Sequence, residues 1–195
     1  MRRLIEDQKL VLDDCIKRFE RLEIPYMLSG SMAMAVYAVM RMTNDIDIVI
    51  ELKSGDATRF LKVFERDYYL VIERVRDAID RKRMFNMLHH ATIVKVDCVI
   101  RKDDAYAKMA FSRRQRIDYA GIDLWIISKE DLILSKLTWA RETKSEMQMR
   151  DVASIIRNGY DEEYVKQWTT KLGLDEIMGE TQRYLERNYV DGHDS

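Results

Sequence analysis

The chain has 195 residues, 47% of them hydrophobic, which is enough to bury a substantial core in one domain. Its formal net charge of −1 excludes a polycationic nucleic-acid binder, so binding of that kind would need a local basic patch. The longest apolar run, residues 32–40, is too short to span a bilayer, and the amphipathic, acidic N-terminus is not typical of a signal peptide. Both cysteines lie in apolar patterns, as packed reduced thiols do, so we expect a cytoplasmic protein with no membrane partner.

Over the first 127 residues the hydrophobic pattern predicts helices interspersed with strands. The predicted elements are a helix over 3–22, a strand over 25–30, a helix over 32–40, a strand over 45–52, a helix ending near 66, a strand over 68–72, a charged helix over 74–83, two adjacent strands with Ala91 near their turn, a helix over 103–112, and a hairpin turning at Gly121.

After residue 127 the pattern is helical. Ser128 and Asp131 form a capping box in which Asp replaces the usual Glu or Gln, and it opens a helix through Leu137 and Ala140. A second helix ends near Gly159, and two more are separated by Gly173. The sequence therefore predicts an α/β part over 1–127 and a helical region over 128–195 that packs on it.

Two aspartates stand one residue apart in a buried-looking strand. Side chains alternate along a strand, so Asp45 and Asp47 point to one face while Ile46 and Ile48 point to the other. Two such carboxylates repel each other unless a cation neutralises them, and Mg²⁺ commonly binds one or two carboxylates together with substrate phosphates. The alternative interpretation is that both carboxylates lie at the end of the strand and are exposed to solvent.

Gly30 ends the predicted strand over 25–30, and Ser31 directly precedes the next helix. Glycine lets a phosphate approach the backbone, the start of a helix offers unpaired N–H groups, and the serine hydroxyl adds a donor. A third acid, Asp97, lies inside an apolar strand and needs a compensating partner. That partner is either the same cation or Lys95, which is two residues away on the same face.

The order and spacing of these residues resemble the motif of the nucleotidyltransferase superfamily, whose fold is shared with DNA polymerase β. Gly30-Ser31, thirteen further residues, Asp45-Ile46-Asp47 and the later Asp97 follow its motif order. The stretch RMTNDIDIVI (41–50), then ISKEDLILSKL (127–137) and Arg150-Asp151-Val152, resembles the branch that contains AbiE-type toxins and related small prokaryotic enzymes. This resemblance implies a mixed β-sheet core flanked by helices.

The resemblance also implies a reaction and roles for its residues. Asp45, Asp47 and Asp97 would hold Mg²⁺ or Mn²⁺, with Asp97 as a second-metal ligand or a base, and NMP would pass from an NTP to an acceptor hydroxyl with release of pyrophosphate. Gly30 and Ser31 would hold the β- and γ-phosphates of the nucleotide, and Lys136 would neutralise charge that develops on the triphosphate. Arg41 would either contact a phosphate or support the strand, and Asp151 would belong, with Lys136, to the family's nucleotide-binding active-site region.

Several alternatives stay open at this stage. The acceptor is RNA such as tRNA, a small molecule, or a protein, and a toxin-like role would imply a cognate antitoxin as partner. An inactive nucleotide-binding or partner-binding module on the same fold is the alternative to an enzyme. Lys136 could instead extend to solvent and Asp151 could pair locally, while the clusters 81–83 and 113–116 could grip RNA or be solvated faces.

Overall fold

The computed structural model describes residues 2–39, 43 and 45–190. In this part of the chain the strands are β1 (Tyr26–Leu28), β2 (Asp45–Ile50), β3 (Tyr68–Tyr69), β4 (Met84–His89), β5 (Lys95–Ile100), β6 (Gln115–Tyr119) and β7 (Ile122–Ile126). The α-helices are α1 (Arg2–Arg21), α2 (Gly30–Tyr37), α3 (Ala57–Phe64), α4 (Ile72–Arg81), α5 (Ala105–Ser112), α6 (Lys129–Thr143), α7 (Glu146–Ile156), α8 (Glu162–Leu172) and α9 (Asp175–Leu185).

The chain divides into two compact units. One comprises Met1–Met32 and Met42–Ile127, and the other comprises Ala33–Arg41 and Ser128–Ser195. All seven strands belong to the first unit, and helices α6 to α9 belong to the second.

The first unit is built on one mixed sheet with strand order β3-β4-β5-β2-β1-β7-β6. The pairs β2–β5 and β1–β7 are parallel, whereas the other neighbours run antiparallel. Parallel neighbours need long connections, and the helices between β2 and β5 supply one of them. The predicted α/β fold with a mixed sheet and flanking helices is confirmed.

One face of the sheet carries the core of the first unit. In β2, Ile46, Ile48 and Ile50 are fully buried while the residues between them are only half-buried. Strand β5 continues this apolar face with Val96 and Cys98. The two faces therefore differ in environment, and the half-buried face is the one that carries the acidic residues.

Aromatic side chains join helices α1 and α3 to the sheet. The ring of Phe60 lies 4.5 Å from that of Phe64 and meets the ring of Phe85 edge-on at 5.7 Å. Phe19 of α1 stacks on Phe60 at 6.4 Å. Burial raises the pKa of the neighbouring Cys15 thiol to about 12, so this thiol stays protonated inside the core.

The second unit begins with a cap that also ties two of its helices together. The Ser128 hydroxyl accepts the Asp131 N–H at 3.1 Å and donates to Asp131 Oδ2 at 2.6 Å. Tyr164 of α8 donates its hydroxyl to Asp131 Oδ1 at 2.8 Å. This buried carboxylate therefore accepts hydrogen bonds from the cap of α6 and from α8.

Among the predicted boundaries that differ from the structure, two change the type of element to which residues belong. The strand expected over 68–72 ends at Tyr69, and Ile72 instead opens α4, because Val75 and Ile79 continue a helical spacing that buries one face. Helix α2 begins at Gly30, two residues earlier than expected, so Ser31 lies in its first turn. None of the helices in the described residues is long and apolar enough to cross a membrane.

We expect Ser128→Ala to lower the free energy of unfolding by about 1–3 kcal/mol, since the variant loses a helix cap and one donor to a buried carboxylate. Urea denaturation followed by circular dichroism measures this change. Ser145→Ala is the matched control, because Ser145 precedes α7 without a side-chain capping bond, and we expect a change within about 0.5 kcal/mol. Equal losses in the two variants would contradict this account of the cap.

Candidate active site

The parallel pairing of β2 with β5 gathers the acidic residues. Asp47 lies directly opposite Asp97 in this ladder, and Asp45 lies opposite Lys95. Directly paired residues share a face of the sheet, so Asp45, Asp47 and Asp97 all project from the half-buried face. Two strands that are fifty residues apart in sequence thus bring together the three acids that the sequence singled out.

Gly30 lies against the carboxylate of Asp47. A Cβ built on Gly30 would fall 1.9 Å from Asp47 Oδ2, and the backbone of Gly30 has a φ of +63°. The antiparallel register of β1 with β2 explains this approach, because Leu28 pairs with Ile48 and the Ser29 N–H then donates to the Asp47 carbonyl at 2.8 Å. Both the positive φ and the close carboxylate require glycine at this position.

Ser31 lies in the first turn of α2, directly after this glycine. The first N–H groups of a helix have no acceptor within the helix, and the positive end of its dipole favours anions. Ser31 is buried, in a turn that adjoins the Asp47 carboxylate through Gly30. The turn that was predicted to bind phosphate and the first of the acids predicted to bind a cation are therefore neighbours in the folded structure as well as in the sequence order.

Lys95 bridges two of the acids. Its Nζ lies 3.1 Å from Asp45 Oδ2 and 2.9 Å from Asp97 Oδ2. Burial lowers the pKa of Lys95, but the hydrogen bonds to Asp97 and Asp45 and their negative charges outweigh it and raise the pKa above its usual value. The lysine is therefore a charged group within the acid cluster.

Asp97 keeps one oxygen without a partner. Its side chain is only 9% exposed; Oδ2 accepts from Lys95, while Oδ1 is buried and has no hydrogen-bond partner. Asn86 is the directly paired residue on the other side, across the β4–β5 ladder. A buried carboxylate oxygen with no donor is costly, by about 1–3 kcal/mol or more for a charged group, and it is suited to a ligand that supplies positive charge.

The donor set fits a hard divalent cation in chemical type, since it consists of carboxylate oxygens beside the glycine-serine turn that was predicted to bind phosphate. The unpartnered Asp97 Oδ1 also fits such a cation. Within the described residues, however, no three His, Cys, Asp or Glu side chains are already gathered closely enough to hold a metal ion. Asp45 and Asp97 are instead both in contact with the Lys95 ammonium.

Lys136 and Asp151 form a buried ion pair in the second unit. Lys136 Nζ lies 2.7 Å from Asp151 Oδ2 and 3.2 Å from Gln148 Oε1, and the two charged side chains are 4% and 5% exposed. Lys136 thus does not extend to solvent, and Asp151 pairs with a residue of a different helix. The predicted contact of Arg41 with phosphate lies outside the described residues.

Sequence reasoning missed the double contact of Lys95 and the position of Asn86. It considered Lys95 only as a partner of Asp97, because the spacing along one strand showed that pair and nothing else. The contact with Asp45 depends on the β2–β5 register, which the sequence does not specify. The β4–β5 turn near Ala91 was a usable signal for Asn86, since counting back from that turn places it near Asp97.

The fold is similar to those of solved nucleotidyltransferase-like proteins. An antigenic nucleotidyltransferase-like protein from Paracoccidioides brasiliensis matches with a TM-score of 0.58 and 17% identity, over 94% of this chain and 88% of that chain. A putative nucleotidyltransferase from Thermotoga maritima matches with a TM-score of 0.51 and 14% identity, over 74% and 92%. The lincosamide antibiotic adenylyltransferase LnuA, solved with lincomycin bound, matches with a TM-score of 0.50 and 15% identity, over 77% and 94%.

No curated protein sequence matches the chain. A protein family does, and the match runs over residues 3–186, nearly the whole chain. That family is described as a nucleotidyltransferase of unknown function (DUF6036). The matched residues include the glycine-serine turn, the paired acids and the mixed sheet. The chain belongs to this nucleotidyltransferase family.

Proposed function

We propose that the protein is a metal-dependent nucleotidyltransferase that moves NMP from an NTP to an acceptor hydroxyl. The observation that carries this proposal is the contact of Asp47 with Gly30, with Asp97 paired directly across the sheet from Asp47. A phosphate-binding turn and a cation-binding carboxylate lie against each other there. This is the arrangement that a nucleotide with its bound cation requires.

The proposed reaction forms one bond and breaks one. The acceptor oxygen bonds to the α-phosphorus, the bond from that phosphorus to the bridging oxygen breaks, and pyrophosphate leaves. Asp45, Asp47 and Asp97 would hold Mg²⁺ or Mn²⁺, and the bound cation would neutralise the charge of the phosphate oxygens. A carboxylate of this group takes the proton of the acceptor hydroxyl, while Gly30 and Ser31 hold the departing phosphates.

Lys136 and Asp151 contribute as a pair in this proposal. The family resemblance assigns both residues to the active-site region. In the structure Asp151 and Gln148 fix the Lys136 ammonium, so Lys136 has a defined position instead of the mobility of a surface lysine. We propose that Asp151 positions Lys136, and that the cost of burying the lysine is met by this pairing.

For the acceptor, charge pairing at the surface favours a small molecule. In the cluster 81–83, Arg81 contacts Asp77 and Lys82 contacts Asp103. In the cluster 113–116, Arg116 contacts Glu20 and Asp123.

The two clusters are also far apart. Strands β4 and β6 are separated by four strands, or roughly 24 Å at the usual strand spacing. Clusters that are partly paired with acids and lie this far apart do not form one continuous groove for an RNA backbone. We therefore propose a small-molecule hydroxyl as the acceptor.

An AbiE-type role with a tRNA acceptor and an antitoxin partner is the second candidate within the same chemistry. It rests on the resemblance of the segment from Ser128 to Asp151 to that branch, and the motif residues Asp131, Lys136 and Asp151 in this segment are all buried and bonded. An inactive nucleotide-binding module is a different class of function. It would bind an NTP but release no pyrophosphate.

The test is incubation of the full chain with Mg²⁺ or Mn²⁺ and each labelled NTP, together with separate RNA, protein and small-molecule fractions of a cell extract. We expect label in a small-molecule fraction, with one pyrophosphate released for each label transferred. Label in RNA would support the toxin-like candidate instead. NTP binding without pyrophosphate release in any fraction would contradict the proposed enzyme.

Gly30→Ala tests the contact with Asp47. We expect it to abolish measurable NTP binding, because the added Cβ displaces the Asp47 carboxylate, and to cost about 1–2 kcal/mol in backbone strain. Calorimetry with a non-hydrolysable NTP analogue measures the binding. Gly121→Ala is the matched control, since Gly121 also has a positive φ, +87°, but no atom within 4 Å of the added Cβ. Equal binding by both variants would contradict the proposed cradle.

Asp47→Asn tests the carboxylate without adding bulk. We expect transfer to fall by more than about 100-fold, because losing even an outer-shell partner of a metal ligand commonly costs 10–100-fold. The fold should remain intact, and the metal-free protein should become slightly more stable as repulsion is relieved. Rate assays and thermal unfolding measure the two effects, and transfer at the wild-type rate would show that Asp47 is not a ligand.

Lys136→Met, together with a double variant, distinguishes the effect of this ion pair on stability from its effect on nucleotidyl transfer. Removing one partner of a buried ion pair should lower the free energy of unfolding by about 3–5 kcal/mol, and the double variant Lys136→Met with Asp151→Leu should recover most of this loss. Denaturant unfolding measures both. We expect transfer to be lost in the double variant even though it is folded. Wild-type transfer by that folded double variant would show that the pair is only structural.

A further inference from the structure

We propose that a basic cleft in the first unit binds a phosphate group, either free or as part of a small phosphomonoester. The cleft has a volume of about 410 Å³ and lies between α1 and the end of α3 with the turn that follows it. Two carboxylates and five cationic side chains line it, and the cations are Lys17, Arg18, Arg21, Lys62 and Arg66. We call it the α1–α3 cleft. The inference goes beyond the proposed function, because none of these residues belongs to the candidate active site.

Arg18 is the least exposed of the five cations, and it joins the two walls of the cleft. Its guanidinium contacts Asp14 Oδ2 at 2.9 Å and Asp67 Oδ2 at 2.6 Å, and it donates to the backbone carbonyl of Val63. The hydrogen bond from Arg18 lowers the pKa of Asp67, and the nearby charge of Arg66 lowers it further. Both carboxylates of the cleft are therefore bonded to a single cation whose position is fixed.

Three cations of the cleft are left without such contacts. Lys17 pairs with Asp13 at 2.6 Å, one helical turn away. Arg21, Lys62 and Arg66 are exposed, and their side chains form no hydrogen bond or ion pair within the part of the chain that the structure describes. With Asp13 included, five positive and three negative charges give this group a net charge of +2, in a chain whose formal net charge is −1.

A phosphate group matches the cleft in charge and in the number of its acceptors. A phosphomonoester carries about −1.5 to −2 charge at pH 7 and presents three strong acceptor oxygens. The three uncommitted cations come from different elements, since Arg21 belongs to α1, Lys62 to α3 and Arg66 to the turn after α3. Each can therefore donate to a different oxygen. The volume also suits a small molecule.

A nucleic-acid backbone fits the cleft less well. Proteins whose binding depends strongly on salt make roughly six to ten phosphate contacts, whereas this cleft offers three uncommitted cations. Basic residues in the last turn of a helix also stabilise its negative end, and Arg21 and Lys62 lie in such turns. That contribution affects stability and not ligand affinity, so a binding measurement distinguishes it from the proposed site.

The α1–α3 cleft is separate from the candidate active site. Phe19 of α1 stacks on Phe60 of α3, and Phe60 meets the ring of Phe85 in β4. Phe85 pairs directly with Cys98, so it projects from the apolar face of the sheet, whereas Asp97 projects from the opposite face. The helices that form the cleft therefore pack on the face of the sheet that does not carry the acids.

Isothermal titration calorimetry on the full chain, with EDTA present to exclude metal-bound phosphate, tests the cleft. The probes are inorganic phosphate, glucose 6-phosphate and unphosphorylated glucose. We expect both phosphates to bind and glucose not to bind. Affinity for glucose 6-phosphate at least about tenfold above that for inorganic phosphate would identify a phosphomonoester as the ligand, because only the ester has further groups to contact the cleft. Equal affinities would identify free phosphate.

Matched triple variants locate the binding. We expect affinity for both phosphates to fall at least about tenfold when the three uncommitted cations are lost together, since each donates a charge-assisted hydrogen bond. That variant combines Arg21→Gln, Lys62→Gln and Arg66→Gln. The control removes the same charge from exposed lysines elsewhere and should bind as the wild type does; it combines Lys53→Gln, Lys102→Gln and Lys108→Gln. Arg66→Gln alone repeats the test if the first triple variant does not fold by circular dichroism.

Gly30→Ala separates this site from the glycine-serine turn, and we expect it to bind both phosphates as the wild type does. Loss of phosphate binding in Gly30→Ala would overturn the proposal, because the phosphate would then lie at that turn. Failure of the wild type to bind either phosphate, or equal binding by the two triple variants, would also overturn it. So would a single-stranded RNA that binds more tightly than both phosphates and is lost in the first triple variant, because the cleft would then belong to an RNA surface.

Discussion

The parallel pairing of β2 with β5 is the constraint on which the candidate site depends. This ladder sets Asp47 opposite Asp97 and Asp45 opposite Lys95, and it leaves the branched apolar residues of both strands to form the core on the other face. A shift of one residue in register would turn every side chain of the shifted strand to the opposite face and bury the acids of that strand in the core. The apolar face therefore fixes the geometry of the polar one.

A site of this kind concentrates negative charge, and the protein has to stabilise that charge before any substrate arrives. Lys95 does so for Asp45 and Asp97, and Asp47 lies in the space that a side chain at position 30 would fill. The arrangement is not completely satisfied, because Asp97 Oδ1 remains without a donor. Residual cost at a polar group is common at functional sites, where a ligand completes the interaction.

Features that depend on neighbouring residues could be predicted from the sequence, whereas contacts between distant strands and helices could not. Alternation along β2 placed Asp45 and Asp47 on one face, and the glycine-serine pair before a helix marked the turn, since both depend on neighbouring residues. The bridge from Lys95 to Asp45 and the ion pair of Lys136 with Asp151 depend on register and on helix pairing. Those interactions are set by packing of the whole unit, and a single sequence does not specify them. The strand expected over 68–72 was too long for the same reason, because burial of one helical face outweighed β propensity at Ile72.

Anomalous diffraction from crystals grown with Mn²⁺ and a non-hydrolysable NTP analogue would locate the metal ion and the phosphates relative to the three acids. We expect a manganese peak in contact with the Asp47 carboxylate, with the analogue's phosphates against Gly30 and Ser31. A manganese peak and phosphates located elsewhere, with the three acids unchanged around Lys95, would contradict this expectation.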